Sequence, residues 1–163
     1  MGEKKTYLPL RDVEGVLAIL NKISLLGGLS EKQLHFILGI LREVSYRAGE
    51  YIFEKGDEPS HIYIIRSGNI KIVDYEDGTP YEIIEFGVGQ CLGETAVIGI
   101  QLHSASAVAV EDTELIVLSR EALLSIFDSD KELFSLLVLN VAREACRRLH
   151  QTDEIMLHYI LRK

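Results

Sequence analysis

The chain is short of cysteine, of basic residues and of long apolar runs, and each shortage removes a class of function. Two cysteines in 163 residues, Cys91 and Cys146, make neither a disulfide framework nor a four-cysteine metal site. Seventeen Lys and Arg against 25 Asp and Glu leave a net charge of −8, the wrong sign for a nucleic-acid surface. The one basic group, Arg143, Arg147 and Arg148, is expected on the solvated face of a helix. No stretch reaches the ~18 apolar residues of a membrane helix, and the start, MGEKKTYLPLRDVEG, lacks the apolar core of a signal peptide. A cytoplasmic chain that engages neither membrane nor nucleic acid is the expectation.

What is present is an apolar fraction of 47%, enough for a sizeable core in one domain. Residues 1–41 read as a helical segment. Val13, Val16, Leu17 and Leu20 recur at helical spacing until Gly27-Gly28 breaks the chain. Ser30-Glu-Lys-Gln33 is a capping-box pattern, followed by Leu34, Ile37, Leu38 and Leu41 on one face.

Residues 42–119 change texture, with short β-rich pieces between turn signals. Ile62 to Ile65 make one strand, Ile70 to Val73 the next, and Tyr81 to Phe86 another after the Asp77-Gly78 turn. Leu115 to Leu118 is expected as the last strand. Strands at this spacing indicate a mainly β fold with flanking helices, a sandwich or a jelly-roll barrel. Residues 120–163 return to helix: a short one, then a long one opened by Ser129-Asp130. Phe134, Val138, Val141, Ala145, Leu149, Thr152, Met156 and Tyr159 step by threes and fours along that helix. A stripe so long outruns a small barrel, so the same helix of a second copy is the expected partner, giving a homodimer.

Three stretches carry a resemblance. RAGEYIFEKGDEPSHIYIIRSGNIKIVDYEDG (47–78), GQCLGETAVIG (89–99) and HSASAVAV (103–110) resemble the cyclic-nucleotide-binding domain. The helix around Arg147-Arg148-Leu149-His150-Gln151-Thr152 is similar to the dimer helix of the bacterial catabolite-activator type. The resemblance implies a double-stranded β-helix and a pocket at a short helix beginning at Gly93. It implies as ligand a cyclic nucleotide, cAMP or cGMP, with no cofactor and no metal. The implied contacts are Gly93, Glu94, Thr95 and Ala96 at the helix start, then His103, Ser104 and Ala105, with Thr152 capping the base.

Chemistry is consistent with that implication. A helix N-terminus exposes unpaired N–H groups suited to phosphate. Glycine at 93 permits close approach of a ligand, and an ionised Glu94 accepts from a ribose hydroxyl. The departure is His103, where the family places an arginine on the phosphate. A guanidinium is always charged and forked, whereas a histidine with a reference pKa near 6.5 is partly charged at neutral pH.

One acid, one weak base and no nucleophile leave no catalytic constellation, so the chain is expected not to be an enzyme. The expected function is a regulatory sensor that signals through its C-terminal helix to an unidentified partner. The alternative, motivated by His103, is a nucleotide-free interaction and dimerisation module of the same fold. Cys146 and His150 share a helix face but are better explained by packing than by metal. A cupin-type enzyme needs a His-x-His pair where this chain has His61-Ile62-Tyr63.

Overall fold

The computed structural model describes residues 5–162; Met1–Lys4, part of the expected N-terminal segment, and Lys163 lie outside the described residues. The chain opens with a two-residue strand, β1 (Leu8–Pro9), and a short helix, α1 (Val13–Ala18). Two 3₁₀ turns, Leu20–Lys22 and Ser24–Leu26, precede α2 (Glu31–Ile40). Strands β2 (Arg42–Tyr46), β3 (Tyr51–Phe53), β4 (His61–Ser67), β5 (Ile70–Glu76), β6 (Thr79–Phe86) and β7 (Cys91–Leu92) follow. A six-residue helix, α3 (Glu94–Gly99), interrupts them before β8 (Ser106–Ala109) and β9 (Thr113–Ser119). Helices α4 (Arg120–Ser129) and α5 (Lys131–Leu161) close the chain.

All strand pairs are antiparallel, in two sheets ordered β1-β2-β9-β4-β7 and β3-β8-β5-β6. This is the expected jelly roll. The first sheet is covered on both faces, and the two-residue period of its strands divides their side chains between two cores. Ile62 and Ile64 of β4, with Ile116 and Leu118 of β9, point to the helical layer. Their neighbours Tyr63, Ile65, Leu115 and Val117 point to the second sheet. Burial on both faces is why these strands read as unbroken apolar runs rather than as alternation.

Local chemistry sets the element ends. The Ser30 hydroxyl accepts from the Gln33 N–H, and the Gln33 side chain accepts from the Ser30 N–H, so the capping box is realised. At Asp77-Gly78 both residues have positive φ, +49° and +78°, as a tight two-residue hairpin requires. The expected helix from Val13 to Leu20 is shorter than its spacing suggests. α1 holds six residues, and the 3₁₀ turns bury Leu25 and Leu26 against α4 and α5. Here packing overrides propensity, since six residues cannot sustain a helix on local terms.

α5 departs from expectation in its phase. The residues that seat it are Leu133, Leu137, Asn140, Val141 and Glu144; of the expected stripe only Val141 is fully buried, with Phe134 packed at the edge of the core. Asn140 explains part of the shift: its amide donates to the carbonyls of Leu25 and Gly27, both at 2.9 Å, tying helix to N-terminal turn. Two buried polar residues on the packed face hide it from an apolar count. Beyond Arg148 the helix is exposed along its remaining length.

Candidate ligand-binding cavity

Gly93 caps α3 with φ at +81°, and a Cβ there would lie 2.8 Å from the His61 carbonyl oxygen. Only glycine combines that backbone with that approach. The helix it opens ends at Ile100, itself left-handed at φ +52°, and the chain doubles back toward β8. The returning segment is pinned at His103, whose N–H donates to the Asp57 carbonyl at 3.0 Å. Its own carbonyl accepts from the Gly56 N–H at 2.8 Å.

These segments enclose a cavity of about 210 Å³ against the second sheet. Phe53, Ile72, Ile84 and Phe86 form the sheet wall, and Gly93, Glu94, Thr95 and Ala96 form the helix wall. Gln101, Leu102, His103, Ser104 and Ala105 close a third side. Seven of the eight residues expected at the site thus line one space. Thr152 does not: it is exposed, and its hydroxyl donates to the Arg148 carbonyl at 3.0 Å. Mid-helix threonines commonly satisfy themselves in this way.

Arg148 corrects the expectation that it belongs to a solvated face. It reaches from α5 into the cavity, with Nη1 2.5 Å from Glu94 Oε1, Nη2 2.6 Å from the Cys91 carbonyl and Nε 3.0 Å from Glu144 Oε1. The guanidinium also lies 4.7 Å from the centroid of the Phe86 ring. Glu144, buried on α5, is shared with Arg147. The sequence shows only an acid and a base one turn apart, Glu144 and Arg148, a spacing that does not reveal which face of α5 is buried.

Glu94 is 1% exposed, and its Oε2 has no hydrogen-bond partner among the described residues. Burial raises its pKa above the usual carboxylate range, an effect that Arg148 opposes. Burial acts on Glu144 too, but Arg147 and Arg148 hold that carboxyl below its ordinary value. The Cys91 thiol under the cavity is pushed by burial up to about 12, which makes it unreactive.

His103 is 7% exposed and its ring stacks on Phe53, centroids 3.7 Å apart and planes 12° from parallel. Burial lowers its pKa below the ordinary histidine value, which favours the uncharged ring. Among the described residues no group of three or more His, Cys, Asp or Glu could hold a metal ion. Cys146 and His150 are both exposed. None of the described helices is long and apolar enough to cross a membrane.

Comparison with known proteins places this geometry. A family model for the cyclic nucleotide-binding domain matches residues 43–130. The cyclic AMP receptor protein of Thermus thermophilus is 32% identical over 77% of this chain and 57% of its own length. Human cGMP-dependent protein kinase 2 is 33% identical over 63% of this chain, which spans only 14% of that kinase. A cyclic nucleotide-binding domain from Methylobacillus flagellatus has the same fold at TM-score 0.82 and 23% identity, covering 95% of this chain and 89% of that one.

Proposed function

The chain belongs to the cyclic nucleotide-binding domain family, and from that premise we propose that it is a non-catalytic sensor taking a cyclic nucleotide, cAMP or cGMP, into the cavity at Glu94. The observation that carries this reading is the free Oε2 of a buried Glu94 in the wall of the cavity. A buried acceptor without a partner costs about 1–3 kcal/mol, and a ribose hydroxyl would remove that cost. Gly93, Thr95, Ala96, Ser104 and Ala105 offer small side chains and backbone groups to the rest of the ligand. Arg148 holds the other oxygen of Glu94, so a ligand at this carboxylate bears directly on α5.

The signal then leaves through α5. Its last turns present Leu149, Ile155, Met156, Leu157, Tyr159 and Ile160 to solvent, each more than half exposed. We assign that surface to pairing with a second copy of the chain.

Calorimetric titration with cAMP and with cGMP tests the sensor. Saturable binding by the wild type, lost in Glu94→Ala while the variant remains folded, is the expected result. The second reading, a nucleotide-free docking module, is favoured by His103, which is buried and stacked on Phe53. It takes over if the folded protein binds neither nucleotide.

A further inference from the structure

The charges around the cavity are unusual for a site meant to hold an anion. Only Glu94 and Arg148 of its lining are charged, and the Arg148 guanidinium is paired with two carboxylates, Glu94 and Glu144, and bonded to the Cys91 carbonyl. Lys55 is engaged elsewhere: its backbone N–H bonds Ser106 Oγ, but its ammonium pairs with Asp74 at 2.8 Å. His103 lies flat on Phe53, and its burial disfavours the charged ring. No free cation is left for a phosphate among the described residues of the lining, and a buried anion without a counter-charge carries a large desolvation penalty.

The unpartnered side-chain atom in this wall is an acceptor, not a cation. Glu94 Oε2 is buried and unpartnered, so it calls for a hydroxyl and repels a second negative group.

We infer that the cavity binds an uncharged ribonucleoside at least as well as the corresponding cyclic phosphate, its sugar hydroxyls held at Glu94 and its phosphate-side wall supplied by the stacked His103–Phe53 pair. This rests on the reading of the cavity as a nucleotide-type site and names what that site prefers.

The test is competitive titration of the wild type with adenosine, guanosine, cAMP, cGMP and 2′-deoxyadenosine at pH 7.5. Expected is a nucleoside at least as tight as its cyclic phosphate, with 2′-deoxyadenosine about tenfold or more weaker than adenosine. In His103→Arg the order should reverse, cyclic phosphates gaining about 10- to 150-fold from a charge-assisted contact. A wild type that binds cAMP or cGMP tenfold more tightly than its nucleoside overturns this inference and leaves the sensor standing. Binding of none of the five ligands overturns the sensor reading itself, and this inference with it. The wild-type comparison decides the matter even if His103→Arg does not fold.

Discussion

Arg148 and Glu94 stand 54 positions apart in the chain and meet with a guanidinium nitrogen 2.5 Å from a carboxylate oxygen. The pair joins the longest helix, α5, to the six-residue α3 across the cavity wall. Glu144, one turn before Arg148, completes a cluster in which one cation serves two buried carboxylates. A ligand donor at Glu94 Oε2 must share that carboxylate with Arg148, so the site and α5 cannot be perturbed separately.

Arg148→Ala should therefore destabilise the fold as well as the site. Breaking a buried pair costs about 3–5 kcal/mol, and with the Arg148 side chain 23% exposed the low end, about 3 kcal/mol, is expected. Arg148→Lys should recover little, because one ammonium cannot bridge Glu94, Glu144 and a backbone carbonyl together. Urea denaturation measures both. A loss under 1 kcal/mol for the alanine variant would show that the cluster contributes nothing net.

Gly93→Ala tests the helix start. The left-handed backbone costs a non-glycine residue about 1–3 kcal/mol, and the new Cβ would also press on the His61 carbonyl oxygen at 2.8 Å. A drop of at least 1 kcal/mol in unfolding free energy is expected, together with weaker ligand binding because α3 must shift. Unchanged stability and unchanged binding would together mean that α3 relocates at no cost.

The barrel and the α3 wall were legible because their signals are local. Turn pairs such as Asp77-Gly78, the Ser30–Gln33 box and the β4 and β9 runs each state their own conformation. Gly93-Glu94 and His103 are separated by one short helix, so nearness in sequence became nearness in space. The role of Arg148 was not legible, because which face of α5 is buried depends on what the helix meets. That face carries Asn140 and Glu144, polar residues satisfied by partners more than a hundred positions away or by Arg148 itself. An apolar stripe count from Phe134 onward selects the neighbouring face. The same limit hid the stacking of His103 on Phe53, fifty residues upstream, in a buried setting that disfavours the charged ring.

That burial has a pH signature. Burial lowers the pKa of His103 and of His61 below the ordinary histidine value. The unfolded chain therefore takes up protons first as pH falls, and stability declines as pH drops through the ordinary histidine range near 6.5. Carboxylates held low by their partners, Asp74 by Lys55 among them, also lose stability in acid, but through their own folded pKa at lower pH. The His103 share is isolated by comparing wild type with His103→Gln at pH 7.5 and pH 5.5. The variant should lose less stability over that interval, and an equal loss would mean the ring already accepts a proton in the folded state.

The exposed end of α5 makes the last prediction. At 31 residues the helix is roughly 46 Å long, and only the part up to Arg148 rests on the barrel. Leu149, Met156 and Tyr159, exposed by 62%, 56% and 74%, lie with Thr152 along one stripe at spacings of three and four. Such spacing suits knobs-into-holes pairing with an identical helix, and an isolated helix end of this length is marginal in water without it. Light scattering should then give a mass near twice 18.3 kDa for the wild type. Leu149→Glu combined with Met156→Glu places four like charges in the seam of a dimer and should return the protein to 18.3 kDa. These two positions lie outside the cavity lining, so nucleoside binding that survives in the monomeric variant would assign the cavity to one chain alone. A wild type that stays at 18.3 kDa across the concentration range would leave the stripe uncovered by its own kind and remove the dimer from the proposed signalling route.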